Sequence, residues 1–339
     1  MKKVILTGDR PTGSLHIGHY FGSIKNRVLL QDSYDTYIEI ADVQALTDNF
    51  NDPGKVRKNV YELAIDYLSC GIDPGKTKIF IQSQLKEIAE LTIYFSNLVT
   101  VSRLMRNPTT KFEMSQKKDV FGNNGESITY GFLGYPVSQA ADIAIFNADL
   151  VPVGEDQVQH LELTRDLAIR FNNRYSDTFK VPEGLVTKVG ARIMDLQNPL
   201  KKMSKSEDPG DKGCIFLLDP IDLIKKKIKS AVTDSDAVVK YDKVNKPGIS
   251  NLMTIYSCIT GKDYKAIEAK YEGIGYGEFK ADLADIVADE ISKIQERYNK
   301  LINSTELDEI LDKGRDEASY LARKQLSKVY RKVGLGRKK

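Results

Sequence analysis

"KKVILTGDRPTGSLHIGHY", Lys2 to Tyr20, decides the fold. Its apolar run, Val4 to Leu6, ends at a Thr-Gly pair, and a turn of Asp, Arg, Pro, Thr and Gly follows. Beyond the turn, "FGSIKNRVLL" spaces its apolar residues as a helix does. A buried strand therefore feeds through a glycine-containing turn into a helix. Two of the chain's three histidines, His16 and His19, stand in that turn, three residues apart.

The same alternation recurs downstream. "YDTYIEIAD" (34–42) and "KTKIFIQS" (76–83) read as strands. Between them lies a helix, "PGKVRKNVYELAIDYLSCGI", with Pro53 at its start and Gly71 near its end. "LKEIAELTIYFSNLV" is a third helix, and "YGFLGYPVSQAADIAIFNADLVPVG" a helical stretch running into a fourth strand around "DLVPV". The helix "DQVQHLELTRDLAIRFNNRY" follows. Strands alternating with helices of this length predict parallel βαβ units, hence an α/β fold with a doubly wound, Rossmann-like sheet. Around 103–128 the pattern gives way to a polar excursion, and a second polar loop spans about 198–213. After about 218 only periodic, charge-rich helical segments remain. Two domains are expected: residues 1–200 with the sheet, and residues 214–339 helical.

Composition narrows the class. The chain is 41% hydrophobic and 29% charged with a net charge of +3, an ordinary globular balance. No apolar run is long enough to cross a bilayer, and no signal peptide is recognisable, so a cytoplasmic protein is expected. Cys70, Cys214 and Cys258 are too scattered for a disulfide framework or a metal knuckle. Basic residues cluster at "IKKKIK" (224–229) and "SKVYRKVGLGRKK" (327–339), which read equally as solvated helix faces or as contacts to nucleic acid.

The strand–turn–helix opening is a natural anion site. The first N–H groups of a helix have no intrahelical partner, and the helix dipole favours negative charge there. A helix starting near Leu15 would put His16 and His19 on one face of its first turn, with Gly18 leaving the backbone open between them. Neither a GxGxxG fingerprint nor a Walker loop is present. "KKMSKS", 201–206, adds a second feature: lysines among serines, bounded by Pro199 and "PGDKG". Mobile ammonium groups suit a polyphosphate. A turn and a lysine loop that both suit phosphate are explained together by a nucleoside triphosphate held between them.

"HIGH" at 16–19 with "KMSKS" at 202–206 resembles the motif pair of the class I aminoacyl-tRNA synthetases. "AADI" (140–143), "VPVGEDQVQHLELTRDLA" (151–168), "KVGARIMDL" (188–196), "IKKKIKSAVTDS" and "KPGISNL" are similar to the bacterial-type tryptophanyl-tRNA synthetases within that class. The resemblance implies a ligase that activates L-tryptophan with ATP and Mg²⁺ to tryptophanyl-adenylate and transfers it to tRNA(Trp). It also implies a homodimer, and a C-terminal domain that binds tRNA. Carried over by position, it puts His16, His19, Lys202, Lys205 and Lys111 in the chemistry. ATP would be held by Arg10, Pro11, Thr12, Gly18, His19, Gly154, Glu155, Asp156, Ile193 and the KMSKS segment Lys202, Met203, Ser204, Lys205 and Ser206. Asp142 would accept the indole N–H, with Tyr135 and Gln157 at the ammonium. Leu6, Gly8, Gln139, Ile143, Val151 and Val153 would line the remaining pocket. His160 is expected to be structural, and no protein metal site is expected. The chain departs from commoner members at Leu6, Arg10, Gln44 and Gln139, and itself contains no tryptophan. A tyrosyl-tRNA synthetase is the nearest alternative, because an Asp also accepts from a phenol.

Overall fold

The computed structural model describes residues 2–116, 127–154, 158–185, 191–204 and 211–335. Five parallel strands form one sheet: β1 (Val4–Asp9), β2 (Asp35–Ile40), β3 (Thr77–Ile81), β4 (Leu150–Pro152) and β5 (Glu183–Leu185). Their order is β3-β2-β1-β4-β5. The order reverses beside β1, and ligands of doubly wound sheets bind in the crevice outside the carboxyl ends of the strands at that point. Strand β5 was not apparent in the sequence: it is three residues long, contains Gly184, and is largely exposed.

Helices α1 (Ile17–His19) and α2 (Lys25–Leu30) flank a π-helical turn at Tyr20–Ile24, so one helical run from Ile17 to Leu30 widens in its middle. Next come α3 (Asp42–Asn49), α4 (Pro53–Ser69) and α5 (Lys86–Ser96). In place of a structureless excursion lie two short helices, α6 (Val101–Met105) and α7 (Pro108–Gln116). Thr100 caps the first by accepting from the Arg103 N–H, and Pro108 opens the second. The remainder of that segment, 117–126, lies outside the described residues. Helices α8 (Tyr130–Ile145) and α9 (Val158–Arg174) complete the sheet's second half. The C-terminal part is helical as expected: α10 (Ile221–Lys229), α11 (Pro247–Thr260), α12 (Tyr264–Lys270), α13 (Tyr276–Leu301) and α14 (Glu306–Val333).

The strand period of two assigns the core to two faces. Ile38, Ile40, Ile79 and Ile81 pack with Ile17, Phe21, Leu63 and Tyr67, and α13 covers that face with Leu283, Val287 and Ile291. Leu6, Tyr37 and Phe80 face the other way, against Phe95, Ile143 and Phe171, and α14 adds Ala318, Ala322 and Leu326. The C-terminal helices thus close both sides of the sheet. A Cβ on Gly314 of α14 would lie 1.9 Å from the Ile79 carbonyl oxygen, so this helix runs against the backbone of edge strand β3. Covering an edge in this way removes a template for strand addition.

Candidate functional site

The end of β1 is anchored from below. The Arg27 guanidinium donates to both Asp9 oxygens, at 2.7 and 3.2 Å, and the Tyr67 hydroxyl donates to the same carboxylate at 2.7 Å. Burial acts to raise the Asp9 pKa, but the Arg27 charge and these hydrogen bonds outweigh it and hold the carboxyl below its ordinary value. The Asn59 amide donates to the Pro11 carbonyl at 3.1 Å, and the Thr12 N–H to the Arg10 carbonyl at 2.8 Å. The turn that follows β1 is thereby held rigid.

The histidines occupy positions other than those the sequence suggested. The helix starts at Ile17, so His16 is its N-cap rather than a residue of its first turn. The His16 Nδ1 accepts from the Gly18 N–H at 3.1 Å, and the His19 Nδ1 accepts from the His16 N–H at 3.4 Å. Two imidazoles thus build a capping box in which polar side chains satisfy the orphan N–H groups. A ring nitrogen that accepts carries no proton, so each neutral ring carries its proton on Nε2. The rings lie 3.8 Å apart. A Cβ at Gly18 would sit 2.8 Å from the His16 ring and 3.7 Å from the Met203 Cβ. Gly18 is therefore where the first turn meets the lysine loop.

That loop is fastened at both stems. The Met203 N–H donates to the Ile193 carbonyl at 3.0 Å, and the Asp195 N–H to the Lys201 carbonyl at 2.9 Å. The Ile17 N–H reaches the Ile215 carbonyl at 3.0 Å, and the Leu217 N–H the Leu15 carbonyl at 3.0 Å. From α11, the Asn251 amide bonds both backbone groups of Met194 at 2.8 Å, which gives "KPGISNL" a physical task. Met203 and Ile193 are buried, whereas Lys202 and Ser204 are exposed. Lys205 and Ser206 lie outside the described residues, as do Glu155, Asp156 and Gln157.

The region where β1, β4 and α8 meet is apolar. Leu6, Ile143 and Val151 share one buried cluster with Val153 packed against it. Asp142 is buried beside them, and the Gln82 Nε2 donates to both of its oxygens at 3.1 Å. The Gln44 N–H, donating to the Gln82 Oε1 at 3.0 Å, fixes which way that amide points. Burial raises the Asp142 pKa to about 7, against the hydrogen bonds from Gln82 and Glu39 that lower it. Gly8 pairs with Glu39 across β1 and β2. Tyr135 is buried with Phe132, and its hydroxyl is 3.2 Å from the His160 Nε2, which accounts for His160 structurally. The Gln139 Oε1 is buried with no hydrogen-bond partner among the described residues. Gly154 is exposed at the end of β4. Lys111 is exposed on α7.

Sequence reasoning overlooked Gln82 and Glu39. The first carries no motif. The second had a signal: in "YIEIA" a glutamate interrupts a parallel-sheet strand, where both faces are normally buried and apolar. The basic run of α10 also divides. Lys227 is buried, donating to the Cys214 carbonyl at 2.7 Å and to Asp219 at 2.8 Å, and Lys225 pairs with Asp285. Lys226 and Lys229 face solvent.

Among the described residues no group of three His, Cys, Asp or Glu could hold a metal ion, and no helix is long and apolar enough to cross a membrane. The pattern of the family "tRNA synthetases class I (W and Y)" matches residues 2–291. The tryptophan–tRNA ligase of Bacillus anthracis is 50% identical over 336 residues, 99% of each chain. The tryptophanyl-tRNA synthetase structure from Mycoplasma pneumoniae superposes with a TM-score of 0.88 at 31% identity, covering 99% of each chain. That from Campylobacter jejuni, complexed with ADP and tryptophan, gives 0.81 at 35% identity, covering 98% of this chain and 100% of that one.

Proposed function

The chain belongs to the class I tRNA synthetases for tryptophan and tyrosine, and from that premise we propose how its own residues perform the reaction of a tryptophan–tRNA ligase. The tryptophan carboxylate attacks the α-phosphorus of ATP, and pyrophosphate leaves. The acyl group then passes from the adenylate to the terminal ribose of tRNA(Trp). No covalent enzyme intermediate is required, so catalysis consists of positioning and of stabilising charge on the phosphates.

The nucleotide enters as its magnesium complex and lies over the first turn. There Arg10, Thr12 and the Nε2–H edges of His16 and His19 meet phosphate oxygens, and Gly18 keeps the approach clear. Ile193 and Met203 pack by the adenine, while Gly154, Glu155 and Asp156 receive the ribose hydroxyls. Lys202 and Lys205 neutralise the departing pyrophosphate. Lys111 is kept as a further cation for the same group. Tryptophan lies against Leu6, Gly8, Ile143, Val151 and Val153. Gln139 lines the same pocket, the ammonium faces Tyr135 and Gln157, and the indole N–H donates to Asp142. For tRNA, the exposed Lys226 and Lys229 of α10 supply phosphate contacts. The enzyme works as a cytoplasmic homodimer.

The observation that carries this reading is Asp142: a buried acceptor, held from behind by Gln82, at the edge of an apolar cluster. Such a site selects a large flat ring bearing one hydrogen-bond donor. ATP–pyrophosphate exchange with each amino acid tests it. Tryptophan should support exchange and tyrosine should not. Asp142→Asn should lower kcat/KM for tryptophan about tenfold to a hundredfold, the scale of a hydrogen bond to a charged group. Exchange driven equally by tyrosine, or an Asp142→Asn enzyme as good as the parent, would overturn the assignment.

A further inference from the structure

Glu39 is the one acidic residue in the buried stretch of β2, Thr36 to Ile40, and it has no part in the reaction as described so far. It is 5% exposed, and Asp142, on α8 against the same face of the sheet, is 2% exposed. No N–H or O–H donor reaches the buried Glu39 Oε1 among the described residues. The groups around it are few. Asp142 comes from α8, Asp42 from the start of α3, and neighbouring strands contribute only Gly8 and Phe80 opposite it. Asp42 is itself occupied by the Ser83 N–H at 2.9 Å and the Ser83 hydroxyl at 2.5 Å. A hydrogen bond joins the Glu39 and Asp142 carboxyl groups. Two carboxylates cannot bond to each other unless one of them keeps a proton. Two bare charges at this depth, with no cation beside them among the described residues, would be prohibitively costly.

We propose that Glu39 is a positioning residue for substrate selection: it keeps its proton and donates it to Asp142, so that the indole N–H meets a pair bearing one shared negative charge. The inference rests on the reading of Asp142 as the indole acceptor. The electrostatics agree with the geometry. Burial, then the Asp142 charge and hydrogen bond, then Asp42, push the Glu39 carboxyl well above its ordinary range, and the Gln82 amide, which donates to both Asp142 oxygens, favours the charge on Asp142. Gln82 takes one side of the Asp142 carboxylate and Glu39 another. A carboxylate has about four lone-pair sites, which leaves room for the indole donor. Below neutrality Asp142 also gains a proton, and the pair loses the charge that the indole N–H requires. Tryptophan binding at neutral pH therefore releases a proton from the pair.

The chain contains no tryptophan, so the fluorescence of bound L-tryptophan can be followed without background and without ATP. For the wild-type enzyme the dissociation constant should be about tenfold weaker at pH 6 than at pH 8, with a single inflection near 7. Calorimetry at pH 7 in buffers of different ionisation enthalpy should show proton release. Glu39→Gln, which donates from an amide with no proton to lose, should bind within about twofold of wild type at pH 7. Glu39→Leu, which cannot donate, should bind about tenfold more weakly at pH 7, with its inflection moved upward. kcat in exchange at saturating tryptophan should be unchanged in both. A flat wild-type profile without proton release overturns the proposal, whatever the folding of the variants. So does Glu39→Gln binding as weakly as Glu39→Leu, or Glu39→Leu binding as wild type. Asp142→Asn separates the two ideas. If it binds tryptophan normally, the acceptor reading falls and this inference with it; if it is impaired while Glu39→Leu is not, only the role of Glu39 falls.

Discussion

Glu39 and Asp9 are both carboxylates at the carboxyl end of a strand, yet their surroundings drive them in opposite directions. Arg27 and Tyr67 hold the Asp9 carboxyl below its ordinary value, while burial, Asp142 and Asp42 push Glu39 well above its own. The sign for stability follows. Below the ordinary value of 4.5, folded and unfolded chains both hold the Glu39 proton. Above it the unfolded chain releases the proton and the folded chain does not, so stability falls as pH rises, by about 1.4 kcal/mol per unit. Asp142 adds to this between 3.8 and about 7. Glu39→Gln should therefore melt like wild type near pH 4 and increasingly above it toward pH 8. Parallel melting curves across that range would refute the assignment. Asp9 behaves oppositely: its contribution is present at neutral pH and is lost only as pH falls below 3.8.

At the scale of elements, the first turn owes its shape to a cap built from two aromatic side chains. The "HIGH" run was legible as a helix start with phosphate-suited chemistry, because the residue types alone indicate donors and open backbone. That His16 sits outside the helix and uses its Nδ1 on the Gly18 N–H was not legible, since helix boundaries depend on which hydrogen bonds form. Gly18→Ala tests the element. Its Cβ would force the His16 ring away from its 2.8 Å neighbour position and disturb the approach of Met203. We expect kcat for adenylate formation to fall about tenfold to a hundredfold, as for a misplaced catalytic group. Tryptophan affinity, measured by its own fluorescence, should scarcely change. Equal loss of both would mean that the substitution damages the sheet rather than the cap.

In the whole molecule, the C-terminal helices hold the stems of the lysine loop as well as the core. Gln295 of α13 donates to the Leu217 and Asp219 carbonyls at 2.8 and 2.9 Å, and Asn251 of α11 holds Met194. Tyr20, in the turn after α1, donates to Glu290 at 2.6 Å. Gly314→Ala should lower unfolding free energy by about 2 kcal/mol, the cost of overpacking against the β3 backbone less the helix gain from alanine. Urea denaturation measures it, and a stabilised variant would show that α14 can withdraw from the strand. Reversing charge at Lys226 and Lys229 should weaken tRNA binding and flatten its salt dependence, leaving ATP–pyrophosphate exchange intact. The buried Lys227 does not belong in that experiment, because its loss would strand Asp219.

What the sequence by itself determined is whatever is local or repeats. The periods of two and 3.6 set strands against helices, their alternation implied the parallel sheet, and the HIGH and KMSKS runs named the phosphate chemistry. The short β5 escaped because three residues carry no period. Tertiary structure alone decided the partners: that Gly18 meets Met203, that Gln82 is turned by Gln44 toward Asp142, and that Glu39 faces a second carboxylate. The reason is distance along the chain. Glu39 and Asp142 lie on separate elements, 103 residues apart (142 − 39), and the protonation of each depends on the other and on burial, neither of which any stretch of sequence contains.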